Sequence, residues 1–271
     1  MTHSIATIIN FCSNDKLFIH HTINQVKKFS SQIIIPYCDH FYDGTPEDQS
    51  LISKTIAKHP TVKFIPFQYD PNATKTLWRG WQFILRRLTK TQVWGPQHWI
   101  CHARLLGTTY LKKNIKYVLF LDADEVPDGK RFKGWLDTKN YQKYNAIKSA
   151  NYWYFRSPKH QATTFEDSSL LVKRTSLTQA VFMDHDERNA TYSSIPHPKK
   201  RMVLGLDSKP MIHHYGWAKP KANLLKKVKT WGHTKDRNWT KLIEKEFQKP
   251  FSGTDFIYHR RFTTVKPFLH L

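Results

Sequence analysis

The chemistry of this chain is concentrated in Asp122, Asp124 and Glu125, within the stretch YVLFLDADEVPDG at residues 117–129. Three carboxylates at the mouth of an apolar run repel one another and are costly to desolvate unless a cation is near. An Asp-x-Asp pair at a strand end can aim both carboxylates at one hard divalent ion, Mg2+ or Mn2+, which can also grip a diphosphate. The plain alternative is a solvated acidic loop behind a core strand. Other polar candidates lie far away in sequence: Asn10, Asp39, Arg104, Glu166-Asp167, the island VFMDHDERN with Asp184, Asp186 and Glu187, and His213-His214 in MIHHYGW.

The surrounding pattern says what must position them. Residues 117–121 are a short apolar run of buried-strand type, and Pro127 and Gly129 then force a turn. Residues 5–9, 33–35 and 61–66 read as earlier strands. Ser13 is placed to cap a helix carrying Ile19, Ile23 and Val26 on one face. Two further helical faces are Leu77, Trp81, Ile84, Leu88 and Trp99, Ala103, Leu106, Tyr110. Alternating strand and helix predicts an α/β fold, a mostly parallel sheet with helices on its faces. In such sheets ligands bind outside the carboxyl ends of the strands, where the loops 10–15, 38–48 and 122–128 are expected to meet. Beyond residue 130 the alternation weakens. Residues 146–155 and 169–173 read as strands, and aromatic residues 152–154 alternate between faces.

Composition bounds the class. The 271 residues are 39% apolar and 14% aromatic, which suits a folded chain with a full core. Lys and Arg number 43 against 21 Asp and Glu, a net +22, so an anionic partner is expected: nucleotide, nucleic acid, acidic glycan or membrane surface. Three cysteines without C-x-x-C spacing argue against a disulfide framework or structural zinc. The sequence shows no secretory leader and no apolar run of about 18 residues, so a cytoplasmic, soluble or peripherally membrane-associated protein is expected, and the sequons at Asn72, Asn189 and Asn238 read as chance. Residues 219–249 carry ten Lys or Arg against three acids on two amphipathic helices. Such helices suit an anionic membrane or polyanion, or simply pack on the domain with a solvated basic face.

Three segments resemble the family 2-like glycosyltransferases of the GT-A fold. IIIPYCDHFYDGTPE (33–47) is similar to the segment whose acidic residue reads the nucleotide base. ARLLGTTYLKKNIKYVLFLDADE (103–125) resembles the A-R-N-x-G helix leading into the metal-binding strand. MIHHYGW (211–217) resembles the later histidine segment that completes the metal or diphosphate site. Leu105 stands where that family has Asn, and Cys38-Asp39-His40 replaces Asp-Asp-Gly. The resemblance implies a GT-A catalytic domain over residues 1–217, with a basic helical C-terminal extension, 218–271, packed on it. It implies a metal-dependent hexosyl- or pentosyltransferase, inverting, moving a sugar from a UDP-type donor to a glycan, glycolipid or glycoprotein. Asp124, Asp122 and His214 (or His213) would hold Mn2+ or Mg2+. Asn10, Asp39, Arg104 and Asp122 would bind the nucleotide. The catalytic base would be Asp186, with Asp184, Glu187 and Asp167 as rivals. Glu166-Asp167 matches the family's catalytic E-D in letters but precedes the strand it should follow.

Two other readings compete. A nucleic-acid or polyanion binder would account for the charge, although no specific nucleic-acid motif is present. A D-x-D phosphatase would use Asp122 as nucleophile and Asp124 as acid/base.

Overall fold

The computed structural model describes residues 3–41, 43–70, 96–178, 181, 187–231, 233–234 and 236–270. Its strands are β1 (His3–Asn10), β2 (Ser30–Cys38), β3 (Lys63–Phe67), β4 (Tyr117–Asp122), β5 (Glu125–Pro127), β6 (Ala146–Ser149), β7 (Asn151–Phe155), β8 (His160–Ala162), β9 (Leu170–Lys173), β10 (Lys199–Val203), β11 (Ile212–Trp217) and β12 (Phe262–Thr264). The described helices are α1 (Lys16–Val26), α2 (Gln49–Lys58), α3 (Pro96–Thr109), α4 (Gly129–Asp137), α5 (Glu187–Ser194), α6 (Lys221–Thr230) and α7 (Trp239–Glu246).

The larger sheet has the order β10-β6-β9-β4-β1-β2-β3 and is parallel except where β9 runs against β4 and β6. This is the expected mostly parallel α/β sheet. Its central strands are apolar on both faces because both faces are covered. Leu119 and Leu121 of β4 share a core with Ile19 and Ile23 of α1 and Phe132 and Leu136 of α4. Val118 and Phe120 face the other way, onto a core that Leu105 and Leu106 of α3 pack against.

A second sheet, β12-β8-β7-β11-β5, begins where the first one ends. Among the described strands the chain crosses between them five times, and two of the crossings are abrupt: the turn between Asp122 and Glu125, and Ala150. Residues 146–155, expected as one strand, are therefore two. The Ala150 N–H still bonds to Val203, whereas Asn151 turns to Glu166, a ladder switch that periodicity cannot show. Ser13 does not cap α1 either. A 3-10 turn, Ser13–Asp15, precedes the helix, and the Ser13 N–H donates instead to Glu47 at 3.1 Å. The helical face at Leu77, Trp81, Ile84 and Leu88 lies outside the described residues.

Helices α6 and α7 pack Leu224, Val228, Trp239 and Ile243 against Trp153, Phe155 and Trp217 of the second sheet. Strand β12 forms the edge beside β8. The segment after residue 217 thus completes a core and a sheet. No described helix is long and apolar enough to cross a membrane.

Gly129 fixes how closely α4 approaches α1, since a Cβ there would stand 2.2 Å from the Gln25 carbonyl oxygen. Gly129→Ala is expected to lower the unfolding free energy by roughly 1–3 kcal/mol, the usual cost of forcing extra volume into a packed contact. Urea unfolding measures it, and an unchanged midpoint would contradict this tight approach.

Candidate active site

The site forms where the chain leaves one sheet for the other. β4 ends at Asp122 and β5 begins at Glu125, with the turn between them pinned from three directions. The Ala123 N–H donates to the Asn10 carbonyl at 2.9 Å, the Thr22 hydroxyl donates to the Ala123 carbonyl at 2.7 Å, and the Tyr215 N–H donates to the Asp124 carbonyl at 2.8 Å. The turn is rigid before any charge is considered.

Each carboxylate then meets cations from later in the chain. Asp122 Oδ2 accepts from Arg188 Nη2 at 2.9 Å, while Oδ1 faces Arg104 Nη2 at 3.4 Å and the Asn10 amide Nδ2 at 3.4 Å. The other arm of Arg188 bonds to Glu125, which is fully buried. Asp124 points the opposite way. Its Oδ2 lies 3.1 Å from Lys219 Nζ and 3.5 Å from Lys227 Nζ, and its Oδ1 lies 3.8 Å from His214 Nε2. Lys219 also bonds to Asp15. His214 turns Nδ1 toward Glu166 at 3.3 Å, and the other Glu166 oxygen accepts from Arg260 at 2.6 Å.

Burial opposes charge on Asp124, but Lys219, Lys227 and His214 outweigh it and hold its carboxyl far below the usual carboxylate range. Burial likewise works against the Lys219 ammonium, which Asp15 and Asp124 more than compensate, so its pKa rises. For His214, burial is outweighed by the Glu166 hydrogen bond and by Asp124 and Glu125, which favour the imidazolium. These are charges held by mutual pairing.

A cavity of about 880 Å³ opens over the network. The three loops expected to converge do so here. Asn10 and Cys12 come from the first, Cys38, His40 and Glu47 from the second, and Asp122 and Asp124 from the third. Trp153, Trp217, Trp231, Trp239 and Tyr258 border the rest. Tyr152 and Tyr154 point to the other side of β7, against His213, as the alternation requires.

Of the sequence candidates, Asn10, Asp122, Asp124, Asp167 and His214 border the cavity, and Arg104 stands behind Asp122. Asp39 lies just past β2, where its carboxylate accepts the Tyr69 N–H at 2.8 Å. Its neighbours Cys38 and His40, not Asp39, border the cavity. His213 is not the histidine of this site. Its ring stacks on Phe268 at 4.1 Å, its Nδ1 is 2.7 Å from the Tyr154 hydroxyl, and burial depresses its pKa to about 3. Asp167 is clamped by Arg201 at 2.7 and 2.9 Å and by Lys148 at 3.2 Å. Asp184 and Asp186 lie outside the described residues, as does the side chain of Glu187.

The side chains do not form the expected metal-ligand set. Among the described residues no three His, Cys, Asp or Glu groups converge as ligands. Both oxygens of Asp122 face guanidinium groups, and two ammonium groups crowd one oxygen of Asp124. A divalent ion would have to take those lone pairs at about 2.0–2.6 Å, in competition with the cations already on them. As arranged, the residues do not fit Mn2+ or Mg2+.

Sequence reasoning missed Arg188, Lys219 and Lys227, and set Glu166 aside as misplaced. The lysines were visible only as part of a basic tail. Arg188 lies within the acidic island VFMDHDERN, directly after Glu187, and that adjacency was its one signal.

The Glu166 pairing sets a pH dependence. Burial would raise its pKa, but the His214 and Arg260 contacts outweigh burial and lower it from 4.5 to about 2. With the folded value below the unfolded one, the stabilisation is full above about pH 4.5 and is lost as pH falls toward 2. Glu166→Gln is expected to cost on the order of 2–3 kcal/mol at pH 7, with the gap to wild type closing toward pH 2. Urea unfolding across that range measures it, and a pH-independent gap would contradict the pairing.

No family model and no curated protein matches the sequence. Solved structures of TarS from S. aureus are similar in fold. TarS 1–349 with UDP matches at TM-score 0.46 and 9% identity over 92% of this chain and 72% of that one. TarS 1–349 alone matches at TM-score 0.44 and 9% identity over 79% of this chain, which spans 60% of that one. The UDP-GlcNAc complex gives TM-score 0.43 and 10% identity over 85% and 66%. At such identities and TM-scores, substrate and activity rest on the chain's own residues.

Proposed function

We propose that the chain is a GT-A glycosyltransferase. It would transfer a sugar from a nucleoside-diphosphate donor, UDP-type favoured, to a hydroxyl of a glycan, glycolipid or glycoprotein, with inversion. The observation that carries this reading is the position of Asp122 and Asp124. They stand at the carboxyl end of the central parallel strand β4, beside the end of β1, facing a cavity that the loop after β2 also borders. That is where an open α/β sheet binds nucleotides. The aromatic wall opposite suits sugar rings.

In this reading Asp122, half-exposed beside Asn10, accepts a hydrogen bond from the donor's ribose. Transfer breaks the bond between the sugar's anomeric carbon and the diphosphate, which leaves with the electron pair. Charge grows on its oxygens, and cations fixed at the cavity wall, Lys227 and Arg188, stabilise it without reorganising. The acceptor oxygen attacks from the opposite face and gives its proton to a carboxylate. Glu166 and Asp167 border the cavity, but each is neutralised by two cationic partners and is a weak base. Asp186 remains our candidate, because Arg188, two residues on, is bonded to Asp122 and Glu125.

The phosphatase alternative needs a free Asp122 nucleophile, whereas both its oxygens face arginines.

Calorimetric titration of a panel of nucleoside diphosphates is expected to show one that binds. Asp122→Asn should weaken it by about 10–100-fold, the worth of a hydrogen bond to a charged group. If none of the panel binds, the donor-site reading fails. Asp186→Asn should keep nucleotide affinity and lower transfer by roughly 10²–10⁴-fold, the usual share of a general base. Unchanged transfer rates would remove Asp186 from the role.

A further inference from the structure

Resting on the donor-site reading above, we propose that Lys227 takes the part of a divalent cation. Its ammonium, seated on Asp124 beside Lys219, would bind the donor diphosphate directly, so that nucleotide binding needs no metal.

Three observations carry this. First, one oxygen of Asp124 already faces two ammonium groups, at 3.1 and 3.5 Å. One of them cannot leave easily. Lys219 is fully buried, is also bonded to Asp15, and lies 5.6 Å from the centre of the Phe18 ring. Its backbone sits between the Ala218 N–H bond to Tyr215 and the start of α6, which fixes its root. A divalent ion at Asp124 would have to sit against a fixed positive charge.

Second, Lys227 differs from Lys219 in facing the cavity. Its Nζ donates to the Gly216 carbonyl at 3.1 Å and contacts Asp124 at 3.5 Å. An ammonium has three N–H donors, so among the described contacts one is left for a ligand. Its stem is held by α6, with the Trp231 ring centre 5.8 Å from the ammonium.

Third, the backbone makes room for this cation. A Cβ on Gly216 would come within 3.2 Å of Lys227 Nζ and 2.8 Å of His214 Nε2. Glycine there lets ammonium and imidazole lie close to β11, on the same side as Asp124. Lys219 is shared between Asp15 and Asp124 and stays buried, so the ammonium on Asp124 that faces the cavity is Lys227. A diphosphate arriving there would meet the Lys227 ammonium directly.

The test is calorimetry on wild-type protein stripped with EDTA, titrated with the nucleoside-diphosphate panel, then repeated with Mn2+ or Mg2+. The expected result is binding in EDTA, with metal changing Kd less than about threefold. Lys227→Ala should weaken the diphosphate at least tenfold but leave the corresponding nucleoside within about twofold, and Lys227→Arg should restore most of the loss. Lys227→Gln serves if the alanine variant fails to fold, and the metal comparison uses wild type alone. Binding only with metal would overturn the proposal and leave the donor-site reading standing. So would a Lys227→Ala affinity equal to wild type. No nucleotide binding under either condition would overturn both.

Discussion

Everything around the site depends on three carboxylates that must stay charged at a buried sheet junction. Asp122, Asp124 and Glu125 fall within four residues because the chain leaves one sheet and enters the next there. Leaving the buried Asp124 or Glu125 unpaired would cost several kcal/mol. The fold therefore brings cations from α3, from α5, from the loop after β11 and from α6 to a single turn. Arg188 bridges Asp122 and Glu125, while Lys219 bridges Asp15 and Asp124. The last of these links joins the start of α1 to residues some two hundred positions later, so the C-terminal helices cannot be separated from the site they border.

This arrangement gives one turn two different sides. Asp122 lies among guanidinium groups beside Asn10 and the end of β1. Asp124 lies among ammonium and imidazole groups beside β11. Fixed cations of both kinds then border one cavity, along with the aromatic wall. A preorganised positive lining beside the buried Asp124 and Glu125 acts more strongly than the same charges would at an open surface.

Much of the fold was legible because its signals are local. β1, β2 and β4 are continuous apolar runs, which mark strands covered on both faces. α1 and α3 declare themselves by spacing. The convergence of the loops after β1, β2 and β4 follows from parallel topology. The break at Ala150 and the 3-10 turn at Ser13 were not legible. Each is decided by a partner far away in sequence, Glu166 in one case and Glu47 in the other.

The sequence by itself determined that carboxylates end a buried strand, that the sheet is mostly parallel, and that ligand chemistry gathers at its carboxyl edge. The structure makes residues 212–217 a strand, so His213 and His214 face opposite ways. Only the tertiary structure decided which one faces the site. It also decided that Glu166 belongs there, and that Lys219, Lys227 and Arg188 supply the charges that Asp122, Asp124 and Glu125 require. The physical reason is range. Propensity and periodicity act over a few residues, whereas compensation of a buried charge depends on distances across space that no spacing in the chain encodes.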